Sequence, residues 1–249
     1  FNQRSAADTI NDWISDATNG LIPKMINPPI NSEIMMYLIN AIYFKGIWTT
    51  QFDPAQSFDD EFQSITGNSD EVRMMNRKGE VDYIEAESYK AVRLPYGNGK
   101  VSMYCILPGQ DKDINSLIDT FDQQKWEEIR SGLKPVRGVT VQIPKFKMEY
   151  GAKDLRQALG SMGMEEAFSE TADFSGIADG IFISSVLHKA VIEVNEEGSE
   201  AAAVTAVEVG TTSVTAEKPK TFIANRPFIF VIADDEGNIL FVGKMIENK

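Results

Sequence analysis

The chain has 249 residues, 43% of them hydrophobic and 24% charged, which is enough apolar material for one large domain or two small ones. A net charge of −13 is the opposite of the Lys and Arg surplus that grips a phosphate backbone, so DNA, RNA and heparin-like polyanions are poor partners. No apolar stretch approaches the ~20 residues of a membrane helix, and a single cysteine excludes an intramolecular disulfide and a Cys-rich metal site.

The first residues, Phe1-Asn2-Gln3-Arg4, read as mid-chain sequence without an initiator Met or a signal peptide, so a fragment is expected. Ser5-Ala-Ala-Asp8 has the look of a helix start, with Ser5 as N-cap. Ile10, Trp13, Ile14 and Ala17 follow at helical spacing and Gly20 closes the helix. Pro28-Pro29 breaks the chain. The apolar run from Glu33 to Phe44 predicts a strand buried on both faces at the centre of a sheet.

Between 52 and 107 lie several short strand-like stretches, with Asn98-Gly99 marking a hairpin between Ala91–Tyr96 and Val101–Leu107. Cys105 sits in the second of these and reads as a small core residue rather than a reactive thiol. Ile114–Ser131 predicts a pair of helices, and Val139–Phe146 a strand with Pro144 at an edge or bulge. Leu155–Leu159 and Met162–Phe168 predict short helices. Ile181–Val194 predicts a long strand, and Phe222–Ala233 with Ile239–Met245 a final pair around Asp234-Asp235-Glu236-Gly237. The pattern is α+β, with long strands and segregated helices. The acid clusters Asp59-Asp60-Glu61 and Glu165-Glu166 lack metal-ligand spacing and read as solvated faces, so no metal or cofactor is expected.

Residues 196–221, EEGSEAAAVTAVEVGTTSVTAEKPKT, fit no ordinary element. They lack large apolar anchors and read either as a surface linker or as a functional loop. Successive side chains of a strand point to opposite faces. One face would carry Ser199, Ala201, Ala203, Thr205, Val207 and Val209, all small or β-branched and uncharged. The other would carry Glu200, Ala202, Val204, Ala206, Glu208 and Gly210. Such a strand could enter the middle of a sheet with both acids left in solvent. A charge or a bulky ring on the first face would block it by desolvation or overpacking. Gly198 supplies the backbone freedom of a hinge.

Glu196-Glu197-Gly198-Ser199-Glu200-Ala201-Ala202-Ala203-Val204-Thr205 resembles the hinge of inhibitory serpins. Four further blocks resemble the same family in the same order: Asn40-Ala-Ile-Tyr-Phe-Lys-Gly-Ile-Trp48, Leu187-His-Lys-Ala-Val-Ile-Glu-Val194, Asn225-Arg-Pro-Phe228 and Phe241-Val-Gly-Lys244, and Asp173-Phe-Ser-Gly176 adds a match. The likeness spans essentially the whole chain. It implies the C-terminal part of a single serpin domain, of prokaryotic type, with the N-terminal helices and some strands missing. The implied fold has a large central sheet, peripheral helices and an exposed reactive-centre loop.

The resemblance also implies a mechanism. A protease attacks the loop, forms an acyl-enzyme and is carried away as the freed loop inserts between strands near 34–43 and 184–194, travelling ~50 Å for about 15 residues. Counting Glu196 as the first residue, the cut falls after the seventeenth, at Thr212–Ser213, with bonds after Val209, Thr211 and Val214 left open. The small and β-branched residues there suit elastase-like proteases, with subtilisin-like or cysteine proteases next. Trp48 falls at the top of the sheet. His188 is the only histidine, and a structural role with Asn40 in a polar cluster beneath the opening sheet outweighs a catalytic one. The expected partner is therefore a target protease, and no enzyme activity, nucleic acid or membrane is expected. A monomer able to form loop-sheet polymers is expected, outside the cell or at its surface, with the cytoplasm also compatible. A non-inhibitory serpin acting as carrier, chaperone or storage protein is the rival reading.

Overall fold

The structure, a computed structural model, describes residues 5–197 and 219–247. In chain order its elements are α1 (Ala6–Ala17), β1 (Tyr37–Phe44), β2 (Phe58–Gln63), β3 (Ser69–Glu85), β4 (Tyr89–Tyr96) and β5 (Val101–Pro108). After these come α2 (Ile114–Asp119), α3 (Gln123–Gly132), β6 (Lys134–Pro144), β7 (Phe146–Asp154) and the one-turn α4 (Arg156–Leu159). The last are β8 (Ser185–Val194), β9 (Thr221–Ile223), β10 (Phe228–Asp234) and β11 (Ile239–Met245). No helix among the described residues is long and apolar enough to cross a membrane. The chain divides into two compact units: Phe1–Lys45 with Lys147–Glu193, and Gly46–Phe146 with Val194–Lys249.

In the first unit, α1 buries Ala7, Asn11 and Ile14, which share a face at helical spacing. Asn11 is a clamp rather than an anomaly. Its side-chain oxygen accepts from the N–H groups of Met25 and Ile26, both at 3.0 Å, and its amide donates to the Ile26 carbonyl at 2.8 Å. Gly20 ends the helix as expected, at φ +78, with its N–H donating to the Ser15 carbonyl. Ser5 takes the N-cap position, as expected, but its backbone lies in the helical region (φ −83, ψ −3) and its side chain makes no cap hydrogen bond.

Strands β1 and β8 pair in parallel through eight positions, Tyr37 with Ser185 to Phe44 with Ile192, in a sheet ordered β1-β8-β7. Tyr37, Ile39, Ala41 and Tyr43 pack with Leu187 and Val191 against residues of α1 and its return loop. The apolar run 33–44 predicts a strand buried on both faces at the centre of a sheet; among the described residues β1 pairs with β8 alone and has one covered face, with Leu38 and Asn40 exposed.

The second unit is an eight-stranded sheet ordered β11-β10-β5-β4-β3-β6-β9, with β2 paired to the start of β3. Every ladder is antiparallel except β6 with β9. The β4–β5 hairpin forms where Asn98-Gly99 predicts it, with positive φ at Gly97 and Gly99. Strands β5 and β10 are buried almost throughout. On one side Tyr104, Ile106, Ile229 and Val231 form a core with Ile114, Leu117, Trp126 and Ile129 of α2 and α3. Cys105 is fully buried in β5, as expected. Gly243 is required by packing: a Cβ there would collide with the Phe230 ring. Pro144 stands at the very end of β6, where its missing N–H costs no ladder bond.

Candidate functional site

The segment singled out in the sequence leaves β8 through Asn195, Glu196 and Glu197, and the second unit grips these residues by their backbone. The Trp48 indole N–H donates to the Asn195 carbonyl at 2.8 Å and the Trp48 backbone N–H to the Glu197 carbonyl at 3.1 Å. The Phe52 N–H donates to the Glu196 carbonyl at 2.9 Å. Three rings build the grip. Trp48 stacks on Tyr96 at 4.1 Å and meets Phe52 edge-on at 6.1 Å, and all three are buried. Trp suits the place because it offers a large apolar body with one N–H donor at its rim. A bridge from Trp48 to Tyr96 and a bond from the Thr49 N–H to the Pro95 carbonyl hold this stretch to the end of β4. Burial pushes the Tyr96 hydroxyl well above its ordinary range, so it stays neutral.

Glu196 also anchors by its side chain. Its carboxylate, only 9% exposed, pairs at 3.2 Å with the Lys145 ammonium, which is 47% exposed. Lys145 lies between β6 and β7, with its backbone N–H bonded to the Arg73 carbonyl at 2.8 Å. Burial works against the charge on Glu196, but the hydrogen bonds it receives and the Lys145 charge outweigh it and hold the carboxyl below the usual range.

The far end of the segment is fixed to the same unit. The Lys220 carbonyl accepts from the Thr140 N–H at 3.0 Å, and β9 then pairs in parallel with Thr140–Gln142 of β6. The Lys220 ammonium lies 3.7 Å from Glu85, a carboxylate that also pairs with Lys90 at 2.8 Å and accepts from the Tyr83 hydroxyl at 2.9 Å.

Of the residues expected to act, Trp48, Glu196 and Glu197 are brought together. Gly198, Ser199, Glu200, Ala201, Ala202, Ala203, Val204, Thr205, Thr212 and Ser213 lie outside the described residues. Asn40 and His188 are opposite one another in the β1–β8 register. Asn40 is exposed, His188 is half-buried, and the buried Nδ1 of His188 has no hydrogen-bond partner among the described residues. Reading the sequence missed Lys145, Phe52 and Tyr96. Lys145 carries no local signal, since its partner is 51 residues away.

The serpin (serine protease inhibitor) family model matches residues 1–248. The chain is 38% identical to intracellular coagulation inhibitor 2 of Tachypleus tridentatus, over 96% of this chain and 59% of that protein. It is 37% identical to serine protease inhibitor 42Dd of Drosophila melanogaster, over 97% of this chain and 63% of the relative. An uncharacterized serpin-like protein of Thermococcus kodakarensis is 37% identical over the whole chain and 58% of its own length. Among solved structures it is similar to native Tengpin, a thermophilic serpin, with a TM-score of 0.84, 36% identity and coverage of 98% of this chain and 64% of that one. Uncleaved ovalbumin follows at a TM-score of 0.82 and 29% identity, with 98% and 62% covered. The chain thus spans about three fifths of the length of these relatives. With the family model matched over residues 1–248 and serpin relatives alike along nearly the whole chain, the chain belongs to the serpin family.

Proposed function

We propose that this chain carries the bait loop and receiving strands of a serine protease inhibitor that acts as a suicide substrate. The observation that carries the reading is the direct parallel pairing of β1 with β8, the segment 198–218 departing from the C-terminal end of β8. A chain that turns back there runs antiparallel to both strands. Entering between them, it replaces one parallel ladder with two antiparallel ones, the more stable kind per residue. The uncharged face from Ser199 to Val209 supports burial of that strand.

In the proposed reaction the protease serine attacks the Thr212 carbonyl. The Thr212–Ser213 amide breaks, Ser213 leaves as a free amine, and an ester joins Thr212 to the protease. Insertion of the freed arm outruns hydrolysis of the ester. The chain supplies no catalytic group. Target proteases of the elastase type fit the small residues around Thr212, and such targets accord with action outside the cell.

The test is incubation of the protein with elastase, subtilisin and papain, followed by a denaturing gel and mass spectrometry. A heat-stable covalent band with elastase and a new N-terminus at Ser213 are expected. Cleavage without any band, with all three proteases, would place the protein among the non-inhibitory serpins. Ser199→Arg, which puts a charge on the inserting face, is expected to abolish the band while leaving the cut.

A further inference from the structure

Strands β3, β4 and β5 set side chains in rows, because directly paired residues share a face. One row is Ile84, Ala91 and Ile106, which belong to the core beneath α2 and α3. The next row on that face, two residues along each strand, is Asp82, Arg93 and Tyr104. Two charges thus stand one step from an apolar row. They are not sealed, because α3 ends at Gly132 and a cleft of about 410 Å³ lies between its last turns and this row. That volume falls within the roughly 300–1,000 Å³ of small-molecule sites.

The groups that line the cleft are fixed, yet they keep hydrogen-bonding capacity. The Arg93 guanidinium donates to the Asp82 carboxylate at 3.1 Å, to the Ser102 hydroxyl at 3.0 Å and to the Gly99 carbonyl at 3.3 Å. Arg130, from α3, lies over the Trp126 ring at 5.7 Å and donates to the Asp235 carbonyl at 3.1 Å. Each guanidinium has five N–H groups, so both retain unused donors. The carboxylates of Glu127 and Asp235 also line the cleft and pair with nothing among the described residues. Tyr104 is only 4% exposed and lines the cleft, and its hydroxyl has no hydrogen-bond partner among the described residues. Buried hydroxyls are ordinarily paired, so this one points to an occupant.

We infer that the cleft binds a neutral, hydroxyl-rich ligand of monosaccharide size. Its charged groups are two guanidiniums and three carboxylates. An anionic ligand would meet the carboxylates and a cationic one the guanidiniums, in either case a like charge without a partner. A hydroxyl avoids both conflicts, since its O–H donates to a carboxylate while its oxygen accepts from a guanidinium. Several hydroxyls on one ring use donors and acceptors of both kinds together, and buried Tyr104 and Leu133 offer the C–H face of that ring an apolar surface. The cleft shares no residue with the grip on Glu196 and Glu197, and binding there is independent of protease inhibition.

The probe is glucose, titrated into the protein while the backbone amide NMR signals of residues 127–133 and 235–237 are followed. Saturable shifts are expected, with weaker binding of gluconate and of protonated glucosamine, which carry the same hydroxyls with an added charge. Maltotriose distinguishes the two sources of such a ligand: binding as tight as that of glucose assigns the end of a glycan, and binding of glucose alone a free sugar. Tyr104→Phe removes only the hydroxyl and is expected to weaken glucose binding roughly two- to tenfold. Ser131→Trp, at an exposed helix position, fills the cleft and is expected to abolish the saturable response. Shifts that only grow linearly with glucose, as from an excluded osmolyte, would overturn the site. So would saturable binding that survives Ser131→Trp, undiminished binding in Tyr104→Phe, or gluconate or glucosamine binding as tightly as glucose.

Discussion

Strands β1 and β10 are both apolar, YLINAIYF and FIFVIAD, yet they are buried to different extents. β10 lies between β5 and β11, and six of its seven residues are buried. Among the described residues β1 has β8 alone beside it and a single covered face, and none of its eight residues is buried. Burial is set by neighbours as much as by composition. A strand held by one parallel ladder and one apolar face opens at lower cost than one clamped on both edges and both faces. Among the described residues, β10 is therefore the more firmly held of the two strands.

That contrast can be broken by measurement. Trp48→Ala removes a buried ring, its stack on Tyr96 and its bond to Asn195, and is expected to destabilise the protein by about 3–5 kcal/mol in denaturant titrations. Ile106→Ala, in the buried middle of β5, is expected to cost about 2–5 kcal/mol. Lys145→Met leaves the Glu196 carboxylate without its cation. Because Lys145 is about half exposed, the expected loss is only about 1–2 kcal/mol. The same pair has a pH signature. The folded carboxyl of Glu196 is held below its unfolded value, so its contribution is complete above the ordinary Glu value of ~4.3 and fades as pH falls through the folded one. Glu196→Gln is expected to flatten that part of the acid limb, and an unchanged limb would remove the pair from the account. Leu38→Ala, on the uncovered face of β1, is expected to stay within about 0.5 kcal/mol. Equal losses at Ile106 and Leu38 would erase the distinction between the two strands.

The hairpin at Asn98-Gly99, the burial of Cys105 and the helix stop at Gly20 were all legible in the sequence, because each depends on a few adjacent residues. The run 33–44 was legible as a strand, but which of its faces is covered among the described residues was not, since cover comes from segments remote in sequence. Ser5 shows a similar limit: its place as N-cap was legible, but the absence of a side-chain cap hydrogen bond was not. At the site, Trp48, Glu196 and Glu197 could be found by resemblance. The Lys145–Glu196 pair could not, because it joins distant stretches of chain and leaves no spacing to count.

Glu196 and Glu197 on one side and Lys220 on the other are held to the same unit, the first two by Phe52 and Trp48 and the last by β6. Two anchors on one unit fix the separation that the sequence between them has to span. Lengthening that sequence costs only loop-closure entropy, roughly 0.6 kcal/mol for each doubling. A change at either anchor strikes packed, hydrogen-bonded contacts instead, so tolerance to insertion is expected between the anchors and not at them.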